Sequence, residues 1–320
     1  MARYCIFERF LHCNILKMGK SFSLTLGILF SAWFAAAQTQ NFYYEDAVYN
    51  ENIKTVHMFR DGFELSEPIW FMGEEPSLVL KFDDLSGEIK NYYYTLVHCD
   101  ANWNESFLLQ SDYIDGFTDS PVDDYQRSFN TTVNYINYRI YLPNENMQFK
   151  VSGNYALVVY EDNNREKKVL TRRFYVAEDL ARIEGTVRRA TLDAFKGENQ
   201  EVDFTVFHDL LEIRNPREEV KVVIMQNNRW DNAVRDLKPL FIRDRQLIYD
   251  YSRENVFVAG NEFRFFDIRT NRINGENVAS TQFFRPYYHK TLMTDEVRAN
   301  QKYFSYREMN GNFAIESRIG

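Results

Sequence analysis

The chain has 320 residues, of which 46 are Asp or Glu and 38 Lys or Arg, giving a formal charge of -8. Nucleic-acid binding is carried by clustered Lys and Arg, so a net negative chain without such clusters is a poor candidate for it. Aromatic residues make up 16%, mostly Phe and Tyr, which suits strands because flat rings pack well on a pleated surface.

In chain order, the first element is a targeting segment. Lys17 and Lys20 precede an apolar run from Phe22 to Ala37 that closes on Ala35, Ala36 and Ala37. This is the pattern of a secretory signal peptide over residues 1–37, cut before Gln38, with Met18 as its natural start. The run falls short of the roughly 20 apolar residues of a spanning helix, and no second one follows. Of the three cysteines, Cys5 and Cys13 leave with the signal. Cys99 then stands alone, no intrachain disulfide is available, and stability must come from packing.

Beyond the signal the period is close to two, with β-branched and aromatic residues bounded by Asn, Asp and Gly. Strands are predicted over 77–82, 92–99, 135–142, 155–160, 169–176, 202–207, 220–225, 247–251 and 262–268. Long helices are not evident. The segments "NYALVVY" and "VLTRRFYV" flank a polar turn at 161–166, and such closely linked strands pair antiparallel. The expectation is an all-β chain of tandem antiparallel immunoglobulin-like β-sandwich domains.

A composition change at 178–182 marks the expected joint between a first sandwich over 38–178 and a second over 183–285. The order of features then returns: each half has a strand running into an Asn-rich turn that ends on a tryptophan, Trp103 or Trp230, and later a Gly-Asn pair, at Gly153 and Gly260. Residues 286–320 are expected to begin a further β unit, since "GNFAIESRIG" alternates like the opening of a strand that the chain does not complete.

Several residues invite a chemical reading. His98, Cys99 and Asp100 are consecutive, but neighbours on a strand point to opposite faces, so this histidine and thiol cannot meet and Cys99 is expected to be a small core residue. Asp112, Asp115, Asp119, Asp123 and Asp124 could offer oxygens to calcium, yet their spacing fails the EF-hand pattern and suits ordinary turns. Trp103 and Trp230, flanked by Asn and Asp, would stack on sugar rings in a carbohydrate-binding module or, alternatively, close one end of a sandwich core. Catalysis, metal binding and cofactors are therefore not expected.

The blocks "YYYTLVHCDANWNES", "DYIDGF", "SFNTTVNYINYRIYLPNENMQFKVSGNYALVVYED" and "LTRRFYV" resemble the plug protein domain of the Bacteroidetes type IX secretion system. The signature positions are His98, Cys99, Asp100, Asn102, Trp103, Asp112, Tyr113, Gly116, Phe117, Asn130, Pro143, Asn144, Gly153, Asn154, Tyr155, Arg172, Arg173 and Phe174. The resemblance implies a non-catalytic periplasmic protein built of β-sandwiches. Such a protein docks on the outer-membrane translocon barrel and occludes its periplasmic opening when idle. It also implies that this signature is structural or forms an interaction loop, and that relatives extend beyond the last residue here.

Overall fold

The computed structural model describes residues 44–197, 199–259 and 265–296, all within one compact unit. The expected signal peptide and the expected strand opening near Gly320 lie outside the described residues.

Residues up to 177 form twelve strands: β1 (Ala47–Val48), β2 (Ile53–Arg60), β3 (Ile69–Phe71), β4 (Leu78–Asp84), β5 (Tyr92–Cys99), β6 (Ile114–Gly116), β7 (Ser120–Pro121), β8 (Asp124–Arg127), β9 (Ile136–Leu142), β10 (Met147–Phe149), β11 (Gly153–Glu161) and β12 (Lys168–Ala177). One sheet runs β1-β12-β11-β5-β7 with β3 added parallel to β12, a second runs β2-β4-β9-β8, and β10 pairs with β6. Apart from β3, these ladders are antiparallel.

The two sheets bury a common core because alternate residues of each face inward. Ile136, Tyr138, Ile140 and Leu142 from β9 and Leu78, Leu80 and Phe82 from β4 meet Tyr92, Tyr94 and Leu96 from β5 and Tyr155, Leu157 and Val159 from β11. Phe82 joins the layers, with its ring centroid 5.5 Å from Tyr92 and 5.2 Å from Tyr138. Near the edge of this core Tyr92 donates a hydrogen bond to the buried carboxylate of Asp84, which Lys90 also approaches.

After residue 181 the strands are β13 (Arg182–Arg189), β14 (Asn199–Phe207), β15 (Val223–Ile224), β16 (Val234–Arg235), β17 (Phe241–Arg243), β18 (Gln246–Tyr249), β19 (Val256–Val258), β20 (Val278–Phe284) and β21 (Tyr287–Leu292). A sheet ordered β13-β14-β18-β17, with β19 beside β14, packs Val206, Leu247 and Tyr249 against Leu237 and neighbouring loops. No ladder among the described residues joins strands on the two sides of 178–181.

The fold is all-β, with helix limited among the described residues to two four-residue turns, Gln110–Tyr113 and Pro216–Glu219. Two predicted strands require correction. The stretch 220–225 is paired only over Val223–Ile224; Val220, Val222 and Ile224 instead lie against the second core as its cover. Of the stretch 262–268, residues 265–268 are not strand and the rest lies outside the described residues. The expected boundary between 285 and 286 falls in the turn joining β20 to β21, whose residues pair from Phe284 with Tyr287 down to Val278 with Leu292.

Candidate functional site

The signature residues converge where β5 leaves its sheet. Alternation along β5 turns His98 inward, where its ring lies 5.1 Å from Tyr155 and 5.5 Å from Tyr113. Burial lowers its pKa, which favours the neutral ring. Cys99 points to the other face and packs with Trp103 and Ala156. Asp100 serves the chain itself: its Oδ1 accepts from the backbone N–H of Asn102 at 2.8 Å and of Asn104 at 3.0 Å, closing a turn. The three consecutive residues thus point three ways, and no thiol–imidazole pair forms. Burial first, and the Asp100 carboxylate second, push the Cys99 thiol up to about 12. We predict that a thiol reagent at pH 8 leaves Cys99 unmodified in the native chain and modifies it promptly in denaturant; labelling of the native protein at the free-thiol rate contradicts this burial.

Trp103 is the anchor of the turn. It is 1% exposed, with φ at 65°. Its N–H donates to the Asp100 carbonyl at 3.0 Å, and its own carbonyl accepts from the Tyr44 N–H at 2.9 Å. The indole lies on the outer face of the sheet, not at the end of the main core as the sequence suggested. There the Arg173 guanidinium sits 4.5 Å from its ring centroid and 4.9 Å from that of Trp230, and the two indoles meet edge to face at 5.8 Å. Arg235 covers Trp230 at 5.0 Å. Arg173 also donates through Nε to the Tyr44 carbonyl at 2.6 Å. The indoles that a sugar ring would need are therefore occupied by guanidinium groups and by each other.

From this anchor the chain rises as a loop over 104–119. Gln110 bridges back, its amide donating to the Leu96 carbonyl at 3.4 Å and the Thr118 carbonyl at 2.9 Å. Asp112 accepts from the Leu109 N–H at 3.0 Å, and the Tyr113 hydroxyl donates to the Leu96 carbonyl at 3.2 Å. Gly116 has φ at 121°, and a Cβ there would stand 2.1 Å from the Asn146 carbonyl oxygen, so only glycine fits. Phe117 then donates its N–H to that same carbonyl at 2.8 Å.

What the loop displays is apolar. Phe107 is fully exposed, Leu109 is 71% exposed and Phe117 is 65% exposed, with Leu108 beside them. Phe117 was marked by the sequence; Phe107, Leu108 and Leu109 were not. Their signal was readable as three apolar residues in a row, without alternation, immediately after an Asn-rich turn.

The remaining signature residues are supports. Asn154 donates to the Asp100 carbonyl at 3.0 Å, and a Cβ on Gly153 would meet His98 Nε2 at 2.3 Å. Pro143 ends β9, and Asn144 organises the next turn, accepting from the N–H groups of Asn146 and Met147 while donating to the Tyr94 hydroxyl at 2.6 Å. The Tyr155 hydroxyl donates to the Val151 carbonyl, and the Tyr155 ring stacks on buried Phe174 at 5.5 Å. Arg172 reaches the Val56 carbonyl. Asn130 takes the left-handed φ of 55° in the turn between β8 and β9, away from the loop.

The acidic residues do not assemble. Asp119 binds Arg165 at 2.6 Å and accepts from the Tyr160 hydroxyl. Burial raises the Asp119 pKa, but the bonds from Arg165, Tyr160 and Thr118 outweigh it and hold the group below the usual range. Among the described residues no three His, Cys, Asp or Glu side chains are grouped to hold a metal ion.

Residues 53–178 match the family described as the type 9 secretion system plug protein first domain. A solved structure of a hypothetical protein from Parabacteroides merdae ATCC 43184 is 36% identical, with a TM-score of 0.80 over 87% of this chain and 70% of that one. No curated protein matches. No described helix is long and apolar enough to cross a membrane.

Proposed function

This chain belongs to the type 9 secretion system plug protein family, and on that premise we propose that it is a non-catalytic periplasmic plug. It seats on the outer-membrane translocon barrel and covers the periplasmic opening when no substrate passes. The loop over 104–119 is the seat. The observation that carries this reading is a row of exposed apolar side chains, Phe107, Leu109 and Phe117, on a loop fixed from below by Trp103, Gln110, Tyr113 and Gly116.

A plug must hold its shape and leave when required. Paired sandwiches, read here as domains over 38–178 and 183–285, give stiff bulk, and a few apolar side chains ringed by polar ones make an interface of moderate size. The negative charge of the chain keeps the released protein dispersed.

The test is the triple variant Phe107→Ser, Leu109→Ser and Phe117→Ser, expressed in place of the native chain and recovered from detergent-solubilised envelopes. The expected result is at least a tenfold loss of barrel co-purification and a leaky envelope, with an unchanged circular dichroism spectrum. Retained co-purification removes the loop from the proposal; recovery of no barrel protein with the native chain removes the plug reading itself.

A further inference from the structure

The hairpin of β20 and β21 is built differently from every other ladder described. Its base is tied down: Val278 is buried, the Met293 N–H donates to the Asn277 carbonyl at 2.9 Å, Asn274 binds the Ala279 carbonyl and the Thr281 hydroxyl, and Lys290 donates to the Thr270 carbonyl. Beyond Thr281 and Lys290 no described residue covers it, and residues 282–289 are exposed. The four tip aromatics, Phe283, Phe284, Tyr287 and Tyr288, are 50–56% exposed.

Register places these rings on both faces. Phe283 pairs with Tyr288, their rings 4.8 Å apart, and Phe284 pairs with Tyr287 on the opposite side. A hairpin meant to lie against a protein surface needs one apolar face and one polar face, the alternation that β9 shows. One that is aromatic all round has no side set for water. An isolated two-stranded hairpin is also marginal in water by itself, so this tip gains from entering another phase.

Its charge is as distinctive. Between Val278 and Leu292 the basic side chains are Arg285, His289 and Lys290, with no carboxylate, in a chain of net charge -8. The nearest acids in sequence, Glu276, Asp295 and Glu296, flank the base. Arg285 stands in the turn between the aromatic pairs, at the extreme of the projection.

We propose that the β20–β21 hairpin inserts its aromatic tip into the headgroup region of an anionic lipid surface, with Arg285 and His289 on the phosphates. Amphipathic rings such as Tyr settle at the interface between headgroups and acyl chains. The three strand steps from Thr281 to Phe284 span about 10 Å, which matches the roughly 5–10 Å depth of interfacial insertion. The lack of carboxylates at the tip lets it approach phosphates that repel the rest of the chain. The tip thereby orients the molecule, its acidic body turned away from the lipid.

The test uses the purified chain and protein-free vesicles, one set of phosphatidylethanolamine and phosphatidylglycerol at 7:3 and one of phosphatidylcholine alone. Phe284→Trp places a reporter at the tip. Its emission is expected to shift to the blue and to be quenched by shallow doxyl lipids on the anionic vesicles, with at least tenfold weaker binding to phosphatidylcholine. Arg285→Glu is expected to weaken anionic binding several-fold, and Ser at all four tip aromatics to abolish it. An unshifted emission with anionic vesicles overturns the proposal. So does vesicle binding that survives the fourfold substitution, and so does a shift produced by solubilised envelope protein but not by lipid.

Discussion

Trp103→Ala is expected to lower stability by about 3–5 kcal/mol, the range for deleting a buried Trp or Phe from a packed site. The ring is 1% exposed and fills the space between Cys99, Ala156, Tyr175 and Trp230. Alanine cannot fill it, and the surrounding strands cannot collapse inward because β11 and β12 are held by their ladder. The Arg173 guanidinium also loses the ring 4.5 Å away while remaining buried. The left-handed φ of residue 103 stays strained with any L side chain, so nothing is recovered there. Urea unfolding measures the loss as a lower midpoint at an unchanged slope. Trp230→Ala, at a half-buried position, is the internal comparison and is expected to lose no more than half as much. Equal losses, or a Trp103→Ala loss under about 1 kcal/mol, would mean that Trp103 does not anchor the turn.

Gly116→Ala is the second large effect, and its origin is backbone, not side chain. The added Cβ would lie 2.1 Å from the Asn146 carbonyl oxygen and 2.9 Å from its carbon. Neither atom can rotate away, so the β6–β10 pair, in which Gly116 faces Met147, must part. A φ of 121° adds strain of about 1–3 kcal/mol for a non-glycine residue. Gly62→Ala is the control: its φ is +80°, but nothing lies within 4 Å of the Cβ site, so it carries backbone strain alone. The expected outcome is a clearly larger fall in the unfolding midpoint for Gly116→Ala, together with faster proteolysis of the loop over 104–119. Equal midpoints for the two variants would mean that the close approach to Asn146 has no energetic weight.

How much of this was legible depended on whether a strand has a buried face. β9 carries strict alternation because it lays one face on the main core, β5 keeps it through Tyr92, Tyr94 and Leu96, and the sequence read both to within a residue. β2 escaped because its alternation is broken. The register shifts between Lys54 and His57, Thr55 takes φ 53°, and Met58 and Phe59 are buried in succession. β13 escaped for the opposite reason, since every residue of Arg182–Arg189 is exposed and no hydrophobic face exists to read. The stretch 220–225 looked like a strand because a packed apolar cover and a paired one share the same composition.

The same division applies to the site. Its scaffold was readable in part, since Asp100, Gly116 and Asn144 are residue types that turns and close approaches demand. Its exposed apolar row was not, because nothing in one dimension distinguishes Phe107 and Leu109 from core residues. Only the path of the chain leaves them uncovered. Trp103 and Trp230 left two readings open in the sequence, a stacking platform or the closure of a core, and long-range contact with Arg173 and Arg235 removes the first.

That contact also has a mechanical side. Arg235, Trp230, Arg173 and Trp103 stand in an alternating column that runs from the root of the loop into the β15–β16 region. Three residues separate Phe107 from Trp103, and from there contact passes ring to cation to ring into the second half of the chain. The root of the loop is thereby held by residues from both halves of the chain, as a keyed shaft is held by its housing.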